Sequence, residues 1–279
     1  ATAIPASCTA LTIAENGKAL CSIVVARDAI APERTAAREL RNYLRQVTGA
    51  DFQIRNESQV PQDAPQILVG PSIRLKKLAT GVDWGSLKHD GIVIRTAGNK
   101  LLLAGGRPRG TLYAVYTFLE DTVGCRWWSG TESYIPSKPT LTVPMMSKTY
   151  TPKLLYREAF YRDPIEHPRF AARLKLNGHF YNIPPQFGNH YKILGWCHTA
   201  YALVPPEKHF AAHPDWYSER NGKREAAGGQ LCWSNDEMRA ELTRAAIEWV
   251  AKDPAAGIIS ISQNDWFGAC QCAKCKEIE

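Results

Sequence analysis

Apolar residues recur along the chain at intervals that predict its elements before any other property is considered. After Pro32, residues Ala36, Ala37, Leu40, Tyr43, Leu44 and Val47 fall at three- and four-residue spacing and Gly49 follows, which predicts an amphipathic helix closed by a left-handed residue. Arg38, Arg41 and Arg45 lie on its polar side, as on any solvated helix surface. Residues 52–54 and 67–70 are short β-like runs, and 91–105 predicts a hairpin around Gly98-Asn99. Leu112, Val115, Tyr116, Leu119 and Val123 share a second helical face that stops at Gly124. Strands alternating with helices predict a layered α/β domain.

Residues 136–152 hold four prolines and few helix formers, the composition of a connector. The boundary is expected near Tyr150, giving domains 1–150 and 151–279. Beyond it, 154–160 is a candidate strand, 168–176 a helix ended by Asn177-Gly178, and 179–183 another strand. The stretch 184–229 is long, irregular and rich in aromatic, His and Pro residues, so it is expected to be functional or ordered by its own contacts. Residues 231–233 predict a short strand. Ser234 with Glu237 has the form of a capping box for a helix running through Leu242, Ala245, Ala246 and Trp249 to Asp253-Pro254, and 258–262 is a buried-type strand.

Two sets of motifs carry a resemblance. The helix with Ala37-Arg38-Glu39-Leu40 and the segment Gly105-Gly106-Arg107-Pro108-Arg109-Gly110-Thr111-Leu112-Tyr113-Ala114-Val115-Tyr116 resemble the accessory domain that precedes the barrel in α-glucuronidases and β-hexosaminidases. His213-Pro214-Asp215-Trp216, Gln230-Leu231-Cys232 and Ser262-Gln263-Asn264-Asp265, leading to Cys270-Gln271-Cys272-Ala273-Lys274-Cys275, resemble a bacterial family of unassigned chemistry, the domain of unknown function 4838. Together they cover nearly the whole chain. The resemblance implies an α/β protein with an N-terminal accessory domain followed by an incomplete (β/α) TIM-type barrel. A closed (β/α)₈ barrel needs roughly 200 residues or more, whereas roughly 130 follow the connector, so the chain is expected to be a fragment of a longer protein.

Composition narrows the classes. With 44% hydrophobic and 22% charged residues the chain is an ordinary globular sequence, and no apolar run reaches the roughly 18 residues of a membrane span. Residues 1–6 are small and lack the basic and apolar regions of a secretory signal, which fits a processed precursor and a trimmed one equally. The net charge of +7 favours anionic partners, uronate or sulfated glycans included. Its densest cluster, Arg74 with Lys76 and Lys77, has no recognition helix or stacking motif beside it, which argues against nucleic acid. The expected partner is a carbohydrate, with an anionic polysaccharide as one candidate, and the expected location is secreted or periplasmic.

In a parallel barrel the loops after the strands converge on the active site. Asp265 follows the 258–262 run, where a general acid or base would stand, with Asn264 beside it for a sugar hydroxyl; loop ordering or helix capping is the plainer role for Asp265. Glycoside hydrolysis uses two carboxyl groups, and Glu158 is the candidate partner, with pairing to Arg157 or Arg162 as the structural alternative. Trp196, His198 and His190 lie in the long insertion, where an indole face suits a pyranose ring and imidazoles suit its hydroxyls. Arg107 and Arg109 flank a glycine-rich turn before a helix, a weak anion-site signal that domain contacts explain as well.

Of eight cysteines, Cys270, Cys272 and Cys275 are crowded together and Cys232 is a candidate fourth. They suit structural Zn²⁺. Disulfides, between Cys8 and Cys21 and within the cluster, compete in an oxidising compartment, and free thiols are the third state. No cofactor is required for catalysis. The function expected is a glycoside hydrolase-like protein of glycan breakdown. The alternative is a noncatalytic glycan-binding protein of the same fold, and a metal-dependent enzyme using the cysteines is a third reading.

Overall fold

The apolar runs 22–25, 66–69 and 100–105 become the centre of a six-stranded sheet because each is buried on both faces, the pattern of parallel strands covered by helices. A computed structural model describes residues 10–278, so Cys8 and its expected pairing lie outside the described residues. The strand order is Ser147–Tyr150, Ile92–Ala97, Lys100–Gly105, Gln66–Val69, Ser22–Val25, Ile54–Asn56. The last four run parallel and the first two are antiparallel additions. Alternation decides the layers. Ile23, Val25, Ile67, Val69, Leu101 and Leu103 face the helices Ala31–Thr48 and Gly110–Phe118, while Val24, Leu68 and Leu102 face Leu75 and Ala79 on the other side.

Both predicted helices form, and Gly49 and Gly124 take left-handed φ values of 75° and 97° at their ends. The predicted hairpin pairs Ala97 with Lys100 across Gly98-Asn99. The Gly-Arg-Pro-Arg-Gly turn owes its glycines to close approach: a Cβ on Gly105 would lie 2.2 Å from the Gly91 carbonyl and 2.4 Å from Gly110. A second sheet, Leu141–Pro144, Ala10–Glu15 and Lys18–Ala19, is antiparallel.

Ion pairs to buried carboxylates fix this unit. Glu33 accepts the Ile30 N–H at 3.0 Å, covering a free donor at the helix start, and pairs with Arg107 at 2.8 Å. Asp90 holds Arg109 at 2.6 Å, Arg157 at 2.9 Å and the Asn177 amide at 2.9 Å. Glu39 accepts the Tyr116 hydroxyl at 3.1 Å and pairs with Arg169. Arg107 and Arg109 are thus held by carboxylates.

Contacts divide the chain into two compact units, Ala1–His190 and Tyr191–Glu279. The segment 151–190, which the sequence assigns to the start of the second domain, packs in the first unit through Phe170 and Ala172. Residues 154–160 are not a strand, and His179–Tyr181 is a 3₁₀ turn. The reason lies in their hydrogen bonds. Arg157 N–H donates to the Asn177 side chain at 2.8 Å and Ala159 N–H to the Tyr181 hydroxyl, so side chains take the donors a ladder would use.

In the second unit Ile193–Leu194 and Ile258–Ile259 form a short parallel pair. Residues 231–233 give an isolated antiparallel bridge from Leu231 to Tyr217 in place of a strand. The helix Asp236–Lys252 forms as predicted, but its cap is Asn235, whose side chain accepts the Met238 N–H at 2.9 Å, and not Ser234. The irregular stretch is held by its own contacts: His213 stacks on Trp216 at 4.1 Å, and Phe210 and Tyr201 meet Tyr217 edge to face. Asn221-Gly222 turns a hairpin between Glu219–Arg220 and Lys223–Arg224. Among the described residues no sheet closes on itself.

Candidate functional site

The loops that leave the C-terminal ends of the parallel pair are stitched together by backbone and hydroxyl groups. Ser260 N–H donates to the Leu194 carbonyl at 2.9 Å, extending the pairing one step past the strands. Thr199 Oγ1 accepts the Ser262 N–H at 3.0 Å and donates to the Ser260 carbonyl at 2.9 Å, and Ala200 N–H reaches the Ser262 carbonyl at 2.9 Å. Between these ties, Cys197 and His198 both adopt left-handed φ, 35° and 51°. Gly195 precedes them with φ of 61°, and a Cβ there would lie 2.7 Å from Thr199 Cγ2 and 2.8 Å from the Trp249 ring. Three left-handed residues within four positions mark a turn held by its surroundings.

That turn aims His198 at the neighbouring loop. Nδ1 lies 3.2 Å from the Gln263 carbonyl, which only accepts, so Nδ1 carries the hydrogen there. Nε2 faces Asp265 Oδ2 at 3.8 Å. Both groups are open to solvent, His198 at 49% and Asp265 at 88% side-chain exposure. The same loops carry exposed aromatics: Trp196, Trp266 and Phe267. Trp266 meets Tyr201 edge to face at 5.7 Å, and the Tyr201 hydroxyl is anchored on the Ala226 carbonyl at 2.7 Å.

Asn264 lies beneath this surface. Its amide donates to the Gly229 carbonyl at 3.0 Å, and its backbone is gripped by Gln230, which accepts the Asn264 N–H at 2.9 Å and donates to the carbonyls of Asn264 and Trp266. Asn264 therefore supports the loop that displays Asp265. Trp266, Thr199 and Gln230 were not singled out by role in the sequence; the aromatic pair directly after Asp265 was the available signal for the first.

Glu158 and His190 belong to the first unit. The Glu158 side chain is 6% exposed, accepts the Phe180 N–H at 3.2 Å and lies 3.4 Å from His179 Nδ1. The Tyr156 hydroxyl is 2.6 Å from the same nitrogen. Burial holds the His179 imidazole below its ordinary value, against the opposing pull of Glu158. Burial, reinforced by Glu158, also pushes the Tyr156 phenol well up. The expected structural partners of Glu158 are engaged elsewhere, Arg157 with Asp90 and Arg162 with Glu166. His190 lies 3.4 Å from the Ile183 carbonyl through Nδ1.

Two further features are present. A groove of about 610 Å³ in the first unit, at the C-terminal ends of its parallel strands, is lined by Arg27, Lys76, Lys88, Arg107 and Trp84, with Asp28 and Glu57. In the second unit the Sγ atoms of Cys232, Cys270, Cys272 and Cys275 lie within 4.8 Å of one another.

Comparison with known proteins adds the following. The family model described as "Domain of unknown function (DUF4838)" matches residues 127–279, and that of the glycosyl hydrolase family 67 N-terminus matches residues 9–118. No curated protein matches the chain. Among solved structures, a family GH115 4-O-methyl-α-glucuronidase, described as specific for decorated arabinogalactans, is similar over 88% of this chain and 41% of its own, at 13% identity and a TM-score of 0.52. A mutant Streptomyces plicatus β-hexosaminidase with product bound is similar over 91% of this chain and 42% of its own, at 12% identity and a TM-score of 0.39. The chain spans less than half the length of each. The first likeness is one of fold. The described helices include none long and apolar enough to cross a membrane.

Proposed function

Because this chain belongs to the DUF4838 family, whose chemistry is unassigned, we propose that it is a glycan-processing protein of glycoside hydrolase type that receives sugar where the loops after Ile193–Leu194 and Ile258–Ile259 meet. The observation that carries the reading is the His198–Asp265 pair, 3.8 Å apart, on loops that also carry the exposed indoles of Trp196 and Trp266. Indole faces suit the C–H faces of a pyranose while the polar pair takes its hydroxyls. The accessory-domain match at residues 9–118 and the fold likeness to an α-glucuronidase support the same class.

In this reading the parallel pair is one repeat of a (β/α) barrel and Asp265 is an acid or base. The charge of +7 and the basic groove at Arg27, Lys76 and Lys88 favour an acidic polysaccharide, and such a protein belongs outside the cytoplasm, secreted or periplasmic. Catalysis of this type uses no cofactor.

The competing reading, a noncatalytic glycan-binding protein, is favoured by one observation. Asp265 is largely solvated, whereas a general acid is usually raised by burial. One set of measurements separates them: glycan binding by calorimetry and reducing-sugar release, for the protein and for Trp196→Ala and Asp265→Asn. Hydrolysis predicts that Asp265→Asn lowers turnover by about 10²-fold or more with folding intact. Binding alone predicts no turnover in any form and roughly tenfold weaker affinity for Trp196→Ala. Affinity and turnover unchanged in both variants would remove the site.

A further inference from the structure

The four-cysteine cluster contributes no side chain to the sugar site proposed above. Cys232 Sγ lies 3.7 Å from Cys272 Sγ and 3.8 Å from Cys275 Sγ, and all four sulfurs fall within 4.8 Å of one another. Four sulfurs each about 2.3 Å from one zinc ion define a tetrahedron with edges of about 3.8 Å. A disulfide needs about 2.05 Å, and all four are free thiols here. From this match we infer that Cys232, Cys270, Cys272 and Cys275 bind one Zn²⁺ in a closed tetrahedral site.

The surroundings suit such a centre. Four thiolates around Zn²⁺ leave two negative charges, which need donors nearby. Glu219 N–H points at Cys270 Sγ at 3.3 Å, Arg224 Nη1 lies 3.6 Å from the same sulfur, and Ser234 Oγ is 3.1 Å from Cys275 Sγ. This accounts for Ser234, which the sequence assigns to a helix cap. On binding, the four thiols release their protons to solvent as the Zn–S bonds form, with no change of oxidation state. Four thiolates fill the tetrahedral coordination and leave no position for water, and Cys232, Cys270 and Cys275 are buried, so the ion is structural.

Its place in the chain gives it a task. Cys232 precedes the helix Asp236–Lys252, the other three lie after Asp265-Trp266-Phe267, and Gln230 grips Asn264 from beside Cys232. The ion would therefore close both ends of the loop that carries Asp265.

Protein purified under reducing conditions without added metal is assayed by plasma mass spectrometry. About one zinc per chain is expected, falling roughly tenfold or more in Cys232→Ser and Cys272→Ser and unchanged in Cys21→Ser, which alters a cysteine of the first unit. Should the cluster variants fail to fold, Co²⁺ added to the chelator-treated protein decides: thiolate-to-cobalt charge transfer with tetrahedral ligand-field bands is expected. Absence of those bands overturns the site, as does peptide mapping that finds Cys232 in a disulfide. Iron in place of zinc overturns the assignment of the ion. None of these readouts depends on sugar binding, so the zinc site and the glycan reading can fail separately.

Discussion

Gln230 and Asn264 exchange paired hydrogen bonds, the Gln230 side chain accepting the Asn264 N–H at 2.9 Å and donating to its carbonyl at 2.8 Å. A side chain thus imitates a strand neighbour for a loop that has none. The same amide also reaches the Trp266 carbonyl at 2.7 Å, so one buried residue sets the path of the chain on both sides of Asp265.

Replacing Gln230 by Leu keeps the volume and strands those backbone groups. Each buried group left unpaired costs about 1–3 kcal/mol. The expected result is a lower melting temperature together with faster proteolysis within the Asp265 loop. A variant that melts and resists cleavage like the parent would show that the clamp does not hold the loop.

Asp90 is expected to be the most sensitive charge of the first unit. Asp90→Ala leaves Arg109, itself 6% exposed, and Arg157 without their carboxylate, and breaking a buried pair in this way costs about 3–5 kcal/mol. Urea denaturation followed by far-ultraviolet dichroism measures it. A loss below about 1 kcal/mol, the scale of a surface pair, would contradict the role given to this network.

His179 makes stability depend on acidity. Burial depresses its folded-state value below 6.5, against Glu158, with the charge of His190 adding to the depression; the Tyr156 hydroxyl lies 2.6 Å from Nδ1. Below about 6.5 the unfolded chain takes up a proton that the folded chain still refuses, so stability is complete above that pH and falls as pH drops toward the folded value. The melting temperature of His179→Gln is expected to decline less than that of the parent between about pH 6.5 and 5. Parallel declines would exclude His179 as the source.

Sequence pattern determined the first unit closely. Helices at 31–48 and 110–118, the 92–105 hairpin and the stop at Gly49 were legible because periodicity, β-rich runs and glycine punctuation are local properties of the chain. Two further turns are legible as Asn-Gly pairs, Asn16-Gly17 and Asn221-Gly222, whose residues all take positive φ. The cysteine spacing announced a cluster but left its state open. Only the fold decided that the four sulfurs stand within 4.8 Å of one another, since Cys232 is distant from the others along the chain.

Pattern also erred where the deciding partners were remote. Residues 154–160 have strand composition, yet Asn177 and Tyr181 take their backbone donors, and no local rule reveals that competition. Ser234 has the sequence of a cap, but Asn235 makes the bond and Ser234 turns to sulfur. The sequence by itself determined which segments are apolar, where the chain turns and which chemical groups it carries. Which of those groups meet was decided by tertiary structure, because a hydrogen bond or an ion pair depends on separation in space and the chain specifies separation only between near neighbours.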